Sequence, residues 1–172
     1  MPTLFLIRHG EPELRGVFLG QMDSPLSEAG RAQVKPAMAN IEVAVTYTSP
    51  LCRARETAAY IRSPQLIECA DLREFHQGQW TGLTWAEIQV RWPDLASRRS
   101  ADWLGVSAPG GENWCAFVER VAAVWRTIRE GPAPCAIVAH HGVNSALMSI
   151  IQNADPLRFT QQYGEVLQIE YS

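Results

Sequence analysis

Apolar and polar positions along the chain sort into short apolar runs that stop abruptly at polar or glycine-bearing tips, separated by longer amphipathic segments. The first run, Thr3 to Ile7, is rich in sheet formers and closes on Arg8-His9-Gly10. A run this short and this continuously apolar predicts a central strand of a parallel sheet covered on both faces. Val43 to Thr48, Gln65 to Cys69, Cys135 to Ala139 and Val166 to Tyr171 predict four more strands, the last at an edge. Helical patterns fill the gaps. Ser27 is placed to cap a helix carrying Ala32, Val34 and Ala37, and Ser49 or Pro50 to start another with Arg53 in its first turn. Thr84 to Trp92 predicts a short helix stopped by Pro93, with a turn-rich excursion on to Val106. Pro109-Gly110-Gly111-Glu112 opens the longest helix, whose Trp114, Phe117, Val118, Val121, Val124, Trp125 and Ile128 recur at three-four spacing and predict one buried stripe. Val143 to Ile151 predicts the last helix, and Glu11 to Pro25 and Asp71 to Gly82 read as loops.

This alternation predicts an α/β chain. No repeat, low-complexity tract or linker divides it, so residues 1–172 are expected to form a single domain. A formal charge of −3 and a pI near 5.8 give no global basic field, which argues against nucleic acid or an acidic membrane surface as partner. Any anion site must be local. Cys52, Cys69, Cys115 and Cys135 are scattered without metal-ligand spacing, and we read them as reduced, mostly buried thiols. Neither a secretory leader pattern nor an apolar run of membrane-spanning length is present, which makes the cytoplasm the expected compartment.

In open α/β sheets, ligands sit beyond the carboxyl ends of the strands. Arg8 and His9 end one predicted strand, His140 ends another, Arg53 follows a third, and Glu74 lies in a loop after a fourth. Two imidazoles and two guanidiniums suit a phosphoryl group, which carries about two negative charges near neutral pH. Histidine can itself be the nucleophile, and Arg8, Arg53 and a protonated His140 would neutralise the phosphoryl oxygens without a metal or other cofactor. Glu74 is the carboxyl best placed to protonate the leaving oxygen.

These residues resemble a known family. Leu6-Ile7-Arg8-His9-Gly10-Glu11 is similar to the signature of the histidine phosphatase superfamily, the phosphoglycerate-mutase-like proteins. The resemblance continues in order through Gly20 to Gly30, Ser49 to Ala58, Leu72-Arg73-Glu74 with Gly78 and Gly82, Pro109 to Glu112, and Val138-Ala139-His140. It implies a three-layer α/β/α fold with a mostly parallel sheet and a final antiparallel strand. It also implies a phosphohistidine mechanism with His9 as nucleophile, Arg8, Arg53 and His140 as the phosphate pocket, and Glu74 as proton donor. Gly10, Glu11, Gln21 and His141 are further candidate substrate contacts. Family members often have glycine where this chain has His141; strand length and the following Gly142-Val143 favour His140 as the catalytic histidine, leaving His141 and His76 as pocket-wall or structural residues. Trp80-Thr81-Gly82 stands where many members carry a second carboxylate, which strengthens Glu74 as the acid. The compact length is similar to the α-ribazole phosphatase branch. The resemblance therefore implies metal-independent hydrolysis of a small phosphate monoester, with a phosphoglycerate-type phosphomutase or a non-catalytic phospho-ligand module as alternatives. Substrate and oligomeric state are left open.

Overall fold

A computed structural model describes residues 1–172. Five strands, β1 (Thr3–Arg8), β2 (Val45–Thr48), β3 (Leu66–Glu68), β4 (Cys135–Ala139) and β5 (Val166–Glu170), form one sheet in the order β3-β2-β4-β1-β5. β4 is the middle strand and pairs parallel with β1 and β2; β3 runs parallel to β2, and β5 closes the other edge antiparallel to β1. Six helices accompany them: α1 (Glu28–Met38), α2 (Cys52–Ala58), α3 (Trp85–Arg91), α4 (Pro93–Ala101), α5 (Trp114–Ile128) and α6 (His141–Gln152).

Strand alternation sorts the core into two halves. Leu4 and Leu6 of β1 join Cys135, Ile137 and Ala139 of β4 against Phe117 and Val121 of α5 and Leu147 of α6. Ile7, Ala136 and Val138 take the opposite face, against Val34 and Met38 of α1 and Ala54 and Ala58 of α2. Helices therefore cover both faces, giving the three layers. Each of the larger apolar side chains so buried stabilises the fold by about 1.5–3 kcal/mol before conformational entropy is counted. A smaller cluster packs α3 and α4 around Trp80, Ile88, Ala96 and Ala108.

Several elements depart from the sequence pattern. α3 stops before Pro93 as expected, but Pro93 then occupies the first position of α4, where a missing N–H costs nothing, so the expected excursion is largely a second helix. α2 starts at Cys52 rather than at Ser49 or Pro50, and α6 begins at His141, immediately beyond β4. The stripe on α5 is buried at Phe117, Val121, Trp125 and Ile128, while Trp114, Val118 and Val124 flank it partly exposed. Of the four thiols, Cys135 alone is buried; Cys115 is exposed, and Cys52 and Cys69 are intermediate. Cys69 follows β3, an edge strand whose three residues are all exposed. No helix is long and apolar enough to cross a membrane.

Candidate active site

The site is built on the ladder between β1 and β4. Its last parallel rung pairs Arg8 with Ala139, so residues 9 and 140 leave the sheet side by side. His9 N–H continues the ladder to the Ala139 carbonyl at 3.0 Å, and the two imidazoles meet edge to face with centroids 5.0 Å apart. Gly10 then carries the chain through a tight space, since a Cβ there would lie 2.6 Å from Val34 Cγ1. Its N–H donates to Thr57 Oγ1 at 3.0 Å, and the Thr57 hydroxyl donates to the Arg53 carbonyl at 2.8 Å. One buried hydroxyl thus ties the tip of β1 to the helix that carries Arg53.

Hydrogen bonding assigns the state of His9. Its Nδ1 lies 2.7 Å from the Gly10 carbonyl, which can only accept, so Nδ1 carries the proton. Arg53 Nε–H, which can only donate, points at His9 Nε2 at 3.3 Å. Nε2 is therefore unprotonated, and its lone pair accepts from Arg53. Burial, then the Arg53 cation, lowers the His9 pKa to about 3, with the Gly10 carbonyl opposing.

The remaining Arg53 donors reach the carbonyls of Gly20 and Met22, both at 2.8 Å. Those bonds anchor the 11–25 loop over α2. Arg8 donates through Nη1 to the Gln161 carbonyl at 2.6 Å, and its guanidinium lies 4.0 Å from the centre of the Tyr163 ring. Burial pushes both guanidiniums down from their ordinary value, while Glu74 and Tyr163 act in the opposite sense; they remain cations. His140 is fully buried and partners Ser49 Oγ through Nε2 at 2.8 Å, leaving Nδ1 without a partner. The protonated His140 expected from the sequence runs against its surroundings: burial first, then His9, Arg53 and Arg8, hold its pKa well below the ordinary histidine range.

Glu74 accepts from its neighbour Phe75 N–H at 2.9 Å through Oε1, and from Gly142 N–H at 3.1 Å through Oε2. A cavity of about 180 Å³ lies among Arg8, His9, Arg53, Glu74, His141 and Tyr163. His140 stands behind His9 rather than in the cavity wall. Gly10, Glu11 and Gln21 are not in the wall either. Glu11 instead accepts from Ser27 Oγ at 2.9 Å and pairs with Arg15 at 3.1 Å, and Gln21 donates to the Glu74 carbonyl at 3.1 Å. His76 accepts from Gly78 N–H at 3.2 Å as part of its own turn. Tyr163, Thr57 and Gln161 were not singled out by sequence. Gln161 is buried and ties Leu6, Glu165 and Asn144 together beside Arg8. No group of three or more His, Cys, Asp or Glu side chains is arranged to hold a metal ion.

A family model described as the histidine phosphatase superfamily, branch 1, matches residues 4–172. The chain belongs to the histidine phosphatase superfamily. Among relatives, a 2,3-bisphosphoglycerate-dependent phosphoglycerate mutase of Bartonella tribocorum is 31% identical over 124 residues, covering 64% of this chain and 60% of the mutase. The matched part thus spans about three-fifths of that relative. A glucosyl-3-phosphoglycerate phosphatase of Mycobacterium tuberculosis is 33% identical over 169 residues, covering 86% of this chain and 74% of that one. In structure, the α-ribazole phosphatase of Shigella flexneri superposes with a TM-score of 0.89 at 24% identity, covering 98% of this chain and 90% of the other. That likeness establishes the three-layer histidine phosphatase fold expected from the sequence.

Proposed function

We propose that this superfamily member hydrolyses a small phosphate monoester by transferring the phosphoryl group to His9. The observation that carries the reading is the fixed lone pair on His9 Nε2, oriented by the Nδ1–H bond to the Gly10 carbonyl and set in a cavity that two guanidiniums also line. Nε2 attacks phosphorus, the bond to the ester oxygen breaks, and its electron pair leaves with the alcohol. Glu74 gives that oxygen a proton. Water then attacks the phosphohistidine, returning a proton to Glu74 and restoring the Nε2 lone pair. Arg8 and Arg53 meet the phosphoryl oxygens, and an incoming dianion also favours a proton on the unpartnered Nδ1 edge of His140. The two cations already in the wall disfavour a divalent metal at the same place, so the reaction is assigned without one.

The phosphatase relative from Mycobacterium tuberculosis is matched over 86% of this chain against 64% for the mutase, which supports hydrolysis over transfer to a second substrate hydroxyl. Phosphate release from a panel of monoesters, including α-ribazole phosphate and 3-phosphoglycerate, in excess chelator tests the reading. Turnover is expected to persist with chelator and to fall by roughly a thousandfold or more in His9→Ala. Activity that needs added metal, or that survives in His9→Ala, would overturn it.

A further inference from the structure

A second cavity of about 240 Å³ adjoins the first, and Glu74, Gln77 and His141 belong to the walls of both. Taken together, the two volumes lie toward the lower end of the range for small-molecule sites. Phe75, Trp103, Trp114 and Phe159 give the larger one an aromatic lining. Trp103 and Leu157 are 42% and 61% exposed and form an apolar rim. Since Glu74 stands where the cavities meet, an ester oxygen beside it would divide a substrate into a phosphoryl part and an alcohol part, each with its own chamber.

The larger chamber also contains an unusual charge. Arg99 of α4 is 4% exposed and lines it, yet makes no ion pair. Its Nη1 donates to the Val106 carbonyl, its guanidinium lies 4.7 Å from the centre of the Trp103 ring, and its Nε is buried without a partner. Asp102, the nearby carboxylate, is not within ion-pair distance and accepts from Gly105 N–H at 2.8 Å instead. A buried cation with no counter-ion is costly, and one carbonyl together with the faces of Trp103 and, at 6.0 Å, of Phe75 and Trp80 offset only part of that cost.

We infer that Arg99 is a specificity residue: the alcohol part of the substrate is a mid-sized, largely apolar or aromatic body bearing a second anionic group, which Arg99 receives in the larger chamber. The inference rests on the phosphatase reading, with His9 and Glu74 acting at the junction. It assigns the phosphoryl group to Arg8 and Arg53 and the remote anion to Arg99, so the substrate has two negative ends joined by an apolar body.

Paired aryl esters test this on the full chain. The 3- and 4-carboxyphenyl phosphates and their carboxamide counterparts differ by one charge and little in size. The unaltered protein is expected to favour at least one carboxylate by about tenfold or more in kcat/KM, the worth of one charge-assisted hydrogen bond. Arg99→Met should reduce that ratio to within about threefold, whereas Arg99→Lys should keep a preference. Equal rates for acid and amide in the unaltered protein would overturn the inference, as would a preference that survives Arg99→Met. If Arg99→Met does not fold, the unaltered protein and Arg99→Lys decide. Binding of the free hydroxybenzoates and hydroxybenzamides, followed through Trp103 and Trp114 fluorescence, gives a readout without turnover. Tighter binding of the acid is expected, and equal binding would refute the subsite. If no ester is hydrolysed, the phosphatase reading falls while the titration still decides the role of Arg99.

Discussion

Acid is expected to destabilise this protein through its buried histidines. His9 holds a folded-state pKa of about 3 because burial and Arg53 disfavour its charged form, against about 6.5 when the chain is unfolded. Between those values the unfolded state binds the extra proton, so the contribution is fully present above pH 6.5 and is lost as pH falls toward 3. At pH 5 the loss from His9 alone comes to about 2 kcal/mol, and a folded value anywhere below about 4 gives nearly the same figure. That is a large part of the 5–15 kcal/mol typical of a domain. His140, shifted the same way, adds to it. Replacing His9 by Asn keeps a donor for the Gly10 carbonyl and removes the titration. Urea unfolding of both proteins at pH 7.5 and pH 5, compared as differences, cancels the carboxylates they share. The variant should lose about 2 kcal/mol less than the parent over that interval. Equal losses would mean that His9 charges freely in the folded protein, and the neutral nucleophile would have to be given up.

Thr57→Val keeps shape but strands the buried Gly10 N–H, and should cost about 1–3 kcal/mol in urea unfolding together with a fall in kcat as His9 loses its tether to α2. Unchanged stability and rate would show that the Thr57 bridge positions nothing. Glu74→Gln should slow esters with poor leaving groups more than those with good ones, because a good leaving group needs no proton. Uniform slowing across a leaving-group series would remove Glu74 from the acid role.

What could be read from the sequence follows from how local each signal is. Strands ending in Arg8-His9 and His140 were legible because an apolar run that stops at a charged tip needs no distant information. Ser27 as an N-cap was equally local, and its side chain accepts from Gly30 N–H. Pro93 misled because proline stops one helix and starts another by the same chemistry, and only the packing of α3 on α4 around Trp80 distinguishes the two. Tyr163 carried no signal at all: it lies in an irregular stretch between α6 and β5, and its place under Arg8 depends on the chain returning to pair β5 with β1. Arg99 was hidden for a related reason, since an arginine in a short polar helix reads as solvated until tertiary folding buries it.

Adjacent strands in any sheet lie about 4.7–4.9 Å apart, and the two imidazoles lie 5.0 Å apart. The spacing of this histidine pair thus matches the sheet's own repeat, with no loop needed to measure it out. Loops that shape the chambers are then free to diverge, lengthen or be exchanged while the distance between His9 and His140 stays as it is, which makes the fold a fixed ruler carrying replaceable substrate filters.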